Sequence, residues 1–266
     1  MDRDTNIKVF MDTVRLYQND KELKAAVWQS ILDQYVLPER EPLTLKAFPE
    51  KGRGEVVVSA RRTFEAAMAY RGKKVCALNF ASSKNPGGGV ESGAGAQEEC
   101  LCRISTLYPC LCDKRVFDSF YLPHRTMLPN TLYNSDLIFT PGVVCFKTDT
   151  DEPVLMPREN WFSLDVITCA APNLISYTGI TAGQLEALLT ERLERVFITA
   201  VDNGTEVLIL GAFGCGAFRD PPEIVAAVMK KLTEKYRSCF DIIEFAVYCP
   251  PKNTRNYDVF RSVLLS

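Results

Sequence analysis

The sequence predicts an α/β sandwich in which helices cover a mostly parallel sheet. Two observations predict it. Through the second half, short apolar runs alternate with helical patterns, the order that builds strand–helix–strand units. Two such runs, Lys74-Val-Cys-Ala-Leu-Asn-Phe80 and Glu206-Val-Leu-Ile-Leu210, lead straight into glycine-rich loops and then into a helix start. Strand, glycine loop, helix is the order of an anion site at the carboxyl end of a sheet. The first loop runs Asn79-Phe-Ala-Ser-Ser-Lys-Asn-Pro-Gly-Gly-Gly-Val90, then Glu-Ser-Gly-Ala-Gly-Ala96, then Gln97-Glu98-Glu99. Its glycines leave backbone N–H groups open to a ligand and place two acids beside it.

Taken in order, Val9, Phe10, Thr13, Val14 and Tyr17 share one face of an opening helix. Asp20 caps a second, with Leu23, Val27, Ile31 and Tyr35 recurring four apart until Pro38 ends it. Leu43-Thr-Leu-Lys-Ala-Phe48 alternates as a strand does, Val56-Val-Val-Ser-Ala60 is a second short strand, and a helix follows from about Thr63 to Tyr70. The run from Lys74 to Phe80 is short enough for a buried strand. From Gln97 through about Leu107 a helix carries the acids on its first turn, where the macrodipole favours them.

Between about Asp113 and Asn160 the pattern gives one helix and strands at Asp136-Leu-Ile-Phe-Thr140 and Gly142-Val-Val-Cys-Phe146. The acidic turn Asp149-Thr-Asp151-Glu152 reads as a solvated loop rather than a divalent-ion site. The run from Asp165 to Asn173 is a buried strand stopped by Pro172, with an end that can face a ligand. Thr181 and Gln184 make a capping box for a helix with Leu185, Leu188, Leu189, Leu193, Val196, Phe197 and Ala200 on one face.

The second loop is Gly211-Ala-Phe-Gly214-Cys-Gly216-Ala-Phe218-Arg219. Asp220, Pro221, Pro222 and Glu223 then supply a cap, a proline at the first helical position and a capping-box acid. A last buried strand spans Ile242 to Tyr248, and Tyr257, Phe260, Val263 and Leu264 stripe a final helix. No linker or repeat divides the chain, so residues 1–266 are expected to form a single domain with N-terminal helices (about 1–37) packed on it.

Composition narrows the function. With 47% apolar and 24% charged residues the chain is ordinary globular protein. Its 31 basic against 33 acidic residues leave a formal charge of -2, no footprint for duplex DNA or an anionic membrane. The start, Met-Asp-Arg-Asp-Thr-Asn6, lacks the order of a signal peptide, and no apolar run approaches the ~18 residues of a membrane span. The protein is therefore expected to be soluble, intracellular and cytoplasmic, with its ten cysteines reduced. His124 is the one histidine, so a His-ligated metal or a Ser/His/Asp triad would rest on it alone. Neither Gly-x-Ser-x-Gly nor a Walker lysine occurs.

Two glycine loops on one sheet edge would face each other as walls of N–H donors, which suits a diphosphate held without lysines. Glu98 and Glu99 leave a helix about 100° apart in projection, so one can orient while the other reacts. Glycosidic cleavage needs an acid for the leaving oxygen and a base for water. On spacing alone the pair also fits ordinary surface acids at a helix N-terminus.

Asn79-Phe-Ala, Asn85-Pro-Gly-Gly-Gly-Val90, Gln97-Glu98-Glu99, Leu101-Cys-Arg103 and Ser105-Thr-Leu-Tyr108 together resemble the microbial-type poly(ADP-ribose) glycohydrolases. The likeness extends to Thr140–Val144, Thr168–Asn173 and Gly211–Arg219. It implies a macrodomain-like three-layer α/β/α sandwich around a mixed, mostly parallel sheet, forming one catalytic domain. It further implies hydrolysis of ribose–ribose O-glycosidic bonds in poly(ADP-ribose), with ADP-ribose as product and neither cofactor nor metal. By the same resemblance Glu99 is the catalytic acid/base and Glu98 binds the distal ribose hydroxyls. Asn79, Gly87, Gly88, Gly89, Val90 and Gln97 would contact ADP-ribose. Gly214, Cys215, Gly216 and Ala217 would close over the diphosphate, with Phe218 against the ribose.

Asp220 stands where the family often has Asn, and Cys100 follows the acid pair where another residue is usual. Cys100-Leu-Cys102 and Cys110-Leu-Cys112 read as buried or partly exposed thiols rather than zinc ligands. The alternatives on the same loops are a hydrolase of single ADP-ribose units on protein or nucleic acid, and a reader that binds ADP-ribose without cutting it. Two acids argue against the reader, since binding needs no reserve acid.

Overall fold

A computed structural model describes residues 2–43, 45, 52–177 and 179–266. The chain opens with helix α1 (Arg3–Asn19) and, after Asp20 caps it with two backbone contacts, α2 (Lys21–Asp33). Strand β1 (Tyr35–Leu37) follows, so Tyr35 belongs to a strand rather than to the helix stripe expected of it. The strand expected at Leu43–Phe48 falls largely outside the described residues. Next come β2 (Glu55–Ser59), α3 (Thr63–Met68) and β3 (Val75–Phe80).

Helix α4 (Gln97–Ile104) ends three residues earlier than expected, where Ser105 turns extended and bridges to Cys145. The helices α5 (Leu107–Leu111), α6 (Lys114–Val116) and α7 (Leu122–Thr126) follow, the last two joined by a π-helical turn over Phe117–Tyr121. The two strands expected near 136–146 are one, β4 (Leu137–Cys145). A bulge between Thr140 and Val143 absorbs Pro141 and Gly142, and Asp165 accepts the Gly142 N–H at 3.1 Å. The remainder is β5 (Phe162–Cys169), α8 (Ala182–Asp202), β6 (Val207–Leu210), α9 (Pro222–Tyr236), β7 (Ile242–Ala246) and α10 (Arg255–Leu264).

The strands form one sheet in the order β1-β4-β5-β3-β6-β7-β2. From β5 to β2 every pairing is parallel; β4 and β1 are antiparallel at one edge. Both faces are buried, and the alternation of side chains across a strand shows it. Cys76, Leu78, Leu208 and Leu210 pack under α8, α9 and α10, with Leu193, Phe197 and Met229. Val75, Ala77, Val207 and Ile209 pack under α3 to α5, with Phe64, Leu101 and Leu107. The result is helix, sheet, helix, the mixed and mostly parallel sandwich expected.

Helix α1 rests on the first glycine loop and on α4. The Asn6 amide donates to Gly93 O at 2.9 Å, the Thr13 hydroxyl donates to Arg103 O, and the Phe10 and Tyr108 rings meet edge to face at 4.9 Å.

Phe197 is fully buried between α8 and α9, stacked on Tyr236 with centroids 5.6 Å apart. Phe197→Ala is expected to destabilise the protein by about 3–5 kcal/mol, measured as a lower midpoint in denaturant unfolding.

Candidate active site

Strands β3 and β6 are hydrogen-bonded neighbours, with Val75 opposite Val207. Both glycine loops therefore leave the same sheet edge side by side. Asn79 at the end of β3 lies opposite Thr168 of β5, and its amide donates to the Thr168 hydroxyl at 3.2 Å and to Glu98 Oε1 at 3.3 Å. Its Oδ1 is buried without a partner.

The first loop folds back over the acid pair. Gly87 and Gly88 take left-handed φ of 67° and 61°, a conformation that costs glycine little. Space decides as well. A Cβ on Gly88 would collide with Glu99 Oε1 and sit 3.1 Å from Glu98 Oε2, and one on Gly87 would meet the Tyr108 ring at 2.7 Å. The Gly89 N–H donates to Glu99 Oε1 at 2.8 Å, while Glu99 Oε2 is buried without a partner.

Glu98 and Glu99 are 2% and 7% exposed, so they are not surface acids. Glu98 Oε2 accepts the Ser82 N–H at 2.7 Å. Burial pushes its carboxyl up to about 8; the hydrogen bonds from Ser82 and Asn79 oppose the rise, and the Glu99 charge adds to it.

Gln97 works as a staple. Its oxygen accepts the Phe80 N–H at 2.8 Å, and its nitrogen donates to Leu78 O at 2.8 Å and to the Thr63 hydroxyl at 3.0 Å. The carboxamide thereby fixes α4 to the end of β3 and to the start of α3. Val90 is packed into the core beside Gly87.

A cavity of about 470 Å³ opens between the second loop and the start of α4. Gln97, Gly214, Gly216, Ala217 and Phe218 line it, over Phe80. At its rim the Arg62 guanidinium lies 3.9 Å from the centre of the Tyr248 ring and pairs with Asp151. Asn79, Gly88, Gly89, Glu98 and Glu99 are not among its lining residues; Glu98 is bonded to Asn79 and Ser82, and Glu99 to Gly89. Burial pushes the Cys215 thiol far up, with the Asp220 and Glu223 charges adding, which leaves it no thiolate to act with near neutral pH.

Asp220 does not cap α9. Pro221 occupies the cap position, no side chain caps the helix, and the Asp220 carboxyl is buried under the loop instead. The acidic turn is not simply solvated either. Asp149 is buried and accepts the Phe64 N–H at 2.9 Å, and Asp151 pairs with Arg62. His124 is enclosed between Phe120 O and Asn134 Oδ1, 2.6 Å from each. All ten cysteines are free, and among the described residues no three His, Cys, Asp or Glu side chains gather as a metal site. Among the described residues no helix is long and apolar enough to cross a membrane.

Sequence reasoning missed Ser82, Thr63, Arg62 and Tyr248. Thr63 and Tyr248 adjoin strand or helix ends on the cleft side, which is the one signal that pointed to them. Arg62 shares the helix start with Thr63, and Ser82 lies within the first glycine loop, but their partners Asp151 and Glu98 are not next to them in sequence.

Fold and site define an α/β sandwich with a buried carboxyl pair set against a glycine-rich loop, and the comparisons that follow place it among glycoside hydrolases. A family model for the catalytic domain of microbial-type poly(ADP-ribose) glycohydrolase matches residues 8–148. The chain belongs to that family. Its fold is similar to that of poly(ADP-ribose) glycohydrolase from Thermomonospora curvata, with a TM-score of 0.87 and 26% identity over 98% of this chain and 100% of that one. The same enzyme bound to the inhibitor ADP-HPD gives 0.84 and 27%, over 98% and 99%. The Deinococcus radiodurans enzyme in complex with ADP-ribose gives 0.79 and 31%, over 90% and 96%. A comparison with curated proteins finds no match.

Two outcomes follow for the buried pair. Gly88→Ala adds a strained φ and a collision with Glu99, and is expected to cost about 1–3 kcal/mol in denaturant unfolding. Glu98 rises from 4.5 to about 8 on folding, so the stability linked to it is present below 4.5 and lost as pH climbs through 8. Glu98→Gln is expected to flatten that loss, read as a smaller fall in Tm between about pH 5 and pH 8.5.

Proposed function

We propose that the chain is a poly(ADP-ribose) glycohydrolase that cuts ribose–ribose O-glycosidic bonds and releases ADP-ribose, with Glu99 as acid/base. One observation carries the reading. Glu99 is held through Oε1 by the Gly89 N–H, while Oε2 is buried at the loop with no partner. A carboxyl fixed at one oxygen and free at the other is suited to pass a proton. The ADP-ribose and ADP-HPD complexes of the similar enzymes support the ligand class.

In the proposed reaction Glu99 protonates the oxygen leaving the distal ribose as positive charge develops at the anomeric carbon, then takes a proton from the attacking water. Glu98, neutral below about pH 8, and the Asn79 amide hold the ribose hydroxyls. The backbone at Gly87, Gly88 and Gly89 approaches the diphosphate and distal ribose closely, with the Gly88 and Gly89 N–H groups held by Asn85 O and Glu99, and the loop from Gly214 to Ala217 closes over the diphosphate. Phe218 packs on the ribose. Gln97, with its amide already bonded to the protein, offers the ligand a fixed wall. No step needs a metal. The ten free thiols, six of them buried, support an intracellular place of action.

Glu99→Gln keeps shape and hydrogen-bond reach but cannot transfer the proton. It is expected to bind ADP-ribose as the wild type does and to lose turnover by roughly 10²–10⁴-fold. Mass-resolved chromatography of products from purified poly(ADP-ribose) and from a mono-ADP-ribosylated protein checks it. Release from polymer alone supports the proposal; release from the mono-modified protein would favour a mono-ADP-ribosyl hydrolase, and tight binding with no release a reader.

A further inference from the structure

Asp220 takes no part in that chemistry, yet it lies against the loop assigned to the diphosphate. It is 1% exposed and neither carboxyl oxygen has a hydrogen-bond partner. Its backbone N–H closes the loop onto Gly214 O at 3.0 Å. The side chain folds under Gly214, whose φ is 74° and where any Cβ would overlap Oδ2 and crowd Ala171. A carboxyl without donors, directly beneath backbone that would face two phosphates, is a charge placed where charge is least welcome.

The groups around it do not cancel that charge. Arg192 of α8 is buried and its charge draws Asp220 down, but both of its terminal nitrogens donate to carbonyls, Ala170 O at 2.8 Å and Leu132 O at 3.0 Å. Arg192 also answers Glu39 and Glu191. On the loop itself stand the Cys215 thiol and Arg219, and from α9 and α10 come Glu223 and Arg255, paired with each other at 2.8 Å. Burial outweighs Arg192 and leaves the Asp220 carboxyl up at about 7.

We propose that Asp220 makes the grip of the second glycine loop on a diphosphate depend on pH: the neutral acid admits the two phosphates and the carboxylate repels them. The inference rests on the ADP-ribose reading of the site. A bound diphosphate raises the acid's hold on its proton, so affinity is complete below the free value near 7 and falls as pH rises toward the higher value in the complex. One unit of difference between the two is a tenfold loss.

The test is calorimetric titration of ADP-ribose, whose diphosphate diester does not titrate in this range, into wild type and Asp220→Asn between about pH 6 and pH 8.5. Across this range wild-type affinity is expected to fall up to about tenfold further than that of the variant. Glu98 titrates alike in both proteins, so the difference between the profiles belongs to Asp220. Identical profiles, or a folded variant that binds at no pH, would overturn the role of Asp220 and leave the ADP-ribose reading standing. No binding by either protein would overturn that reading instead. A second measurement needs no change at Asp220: in a Glu98→Gln background, ADP-ribose binding near pH 7.5 is expected to draw in protons, read from two buffers of different ionisation heat. Absence of uptake there would also count against the proposal.

Discussion

A buried carboxyl group is costly unless donors come to it, and backbone donors come close most readily where no Cβ intervenes. That constraint shapes the centre of this protein. Gly88 and Gly89 bring the chain down onto Glu99, Ser82 brings another N–H to Glu98, and Asn79 reaches the same carboxyl from β3. The left-handed turn at Gly87 and Gly88 serves this approach as much as any ligand. Burial then separates the two acids chemically: one is fully bonded and shifted upward, the other keeps an oxygen free.

The sheet supplies the second half of the arrangement. Because β3 and β6 are adjacent and parallel, the loops that follow them leave the sheet side by side. A chain of near-neutral charge can hold an anion this way, through short backbone hydrogen bonds rather than through lysines. Gln97 keeps the geometry from drifting, since a single carboxamide ties the helix with the acids to both neighbours.

Much of this was legible in the sequence where the signal is local. The apolar runs of β3 and β6, the capping box at Thr181 and both glycine loops were readable because each is decided within a few residues. The misreadings share a cause in contacts distant along the chain. Tyr35 continued a helical period but pairs with Phe139 as a strand. Pro141 and Gly142 looked like a break, yet a bulge held by Asp165 carries the strand through. Asp220 has the composition of a helix cap, but the space left open at Gly214 draws it inward. Asp149 finds Phe64, 85 residues away, and no pattern near the acidic turn announced it. At the site, residue identity was visible while electrostatic environment was not: that Glu98 is the acid raised by burial follows from the packing around it.

The seating of α1 bears on the centre of the protein. Asn6 bonds to Gly93 across 87 positions of chain, and a Cβ on Gly93 would run into Arg3 O. Closing so long a stretch of chain carries an entropy cost that the contact must offset. Loosening α1 would therefore loosen the loop over the acids as well.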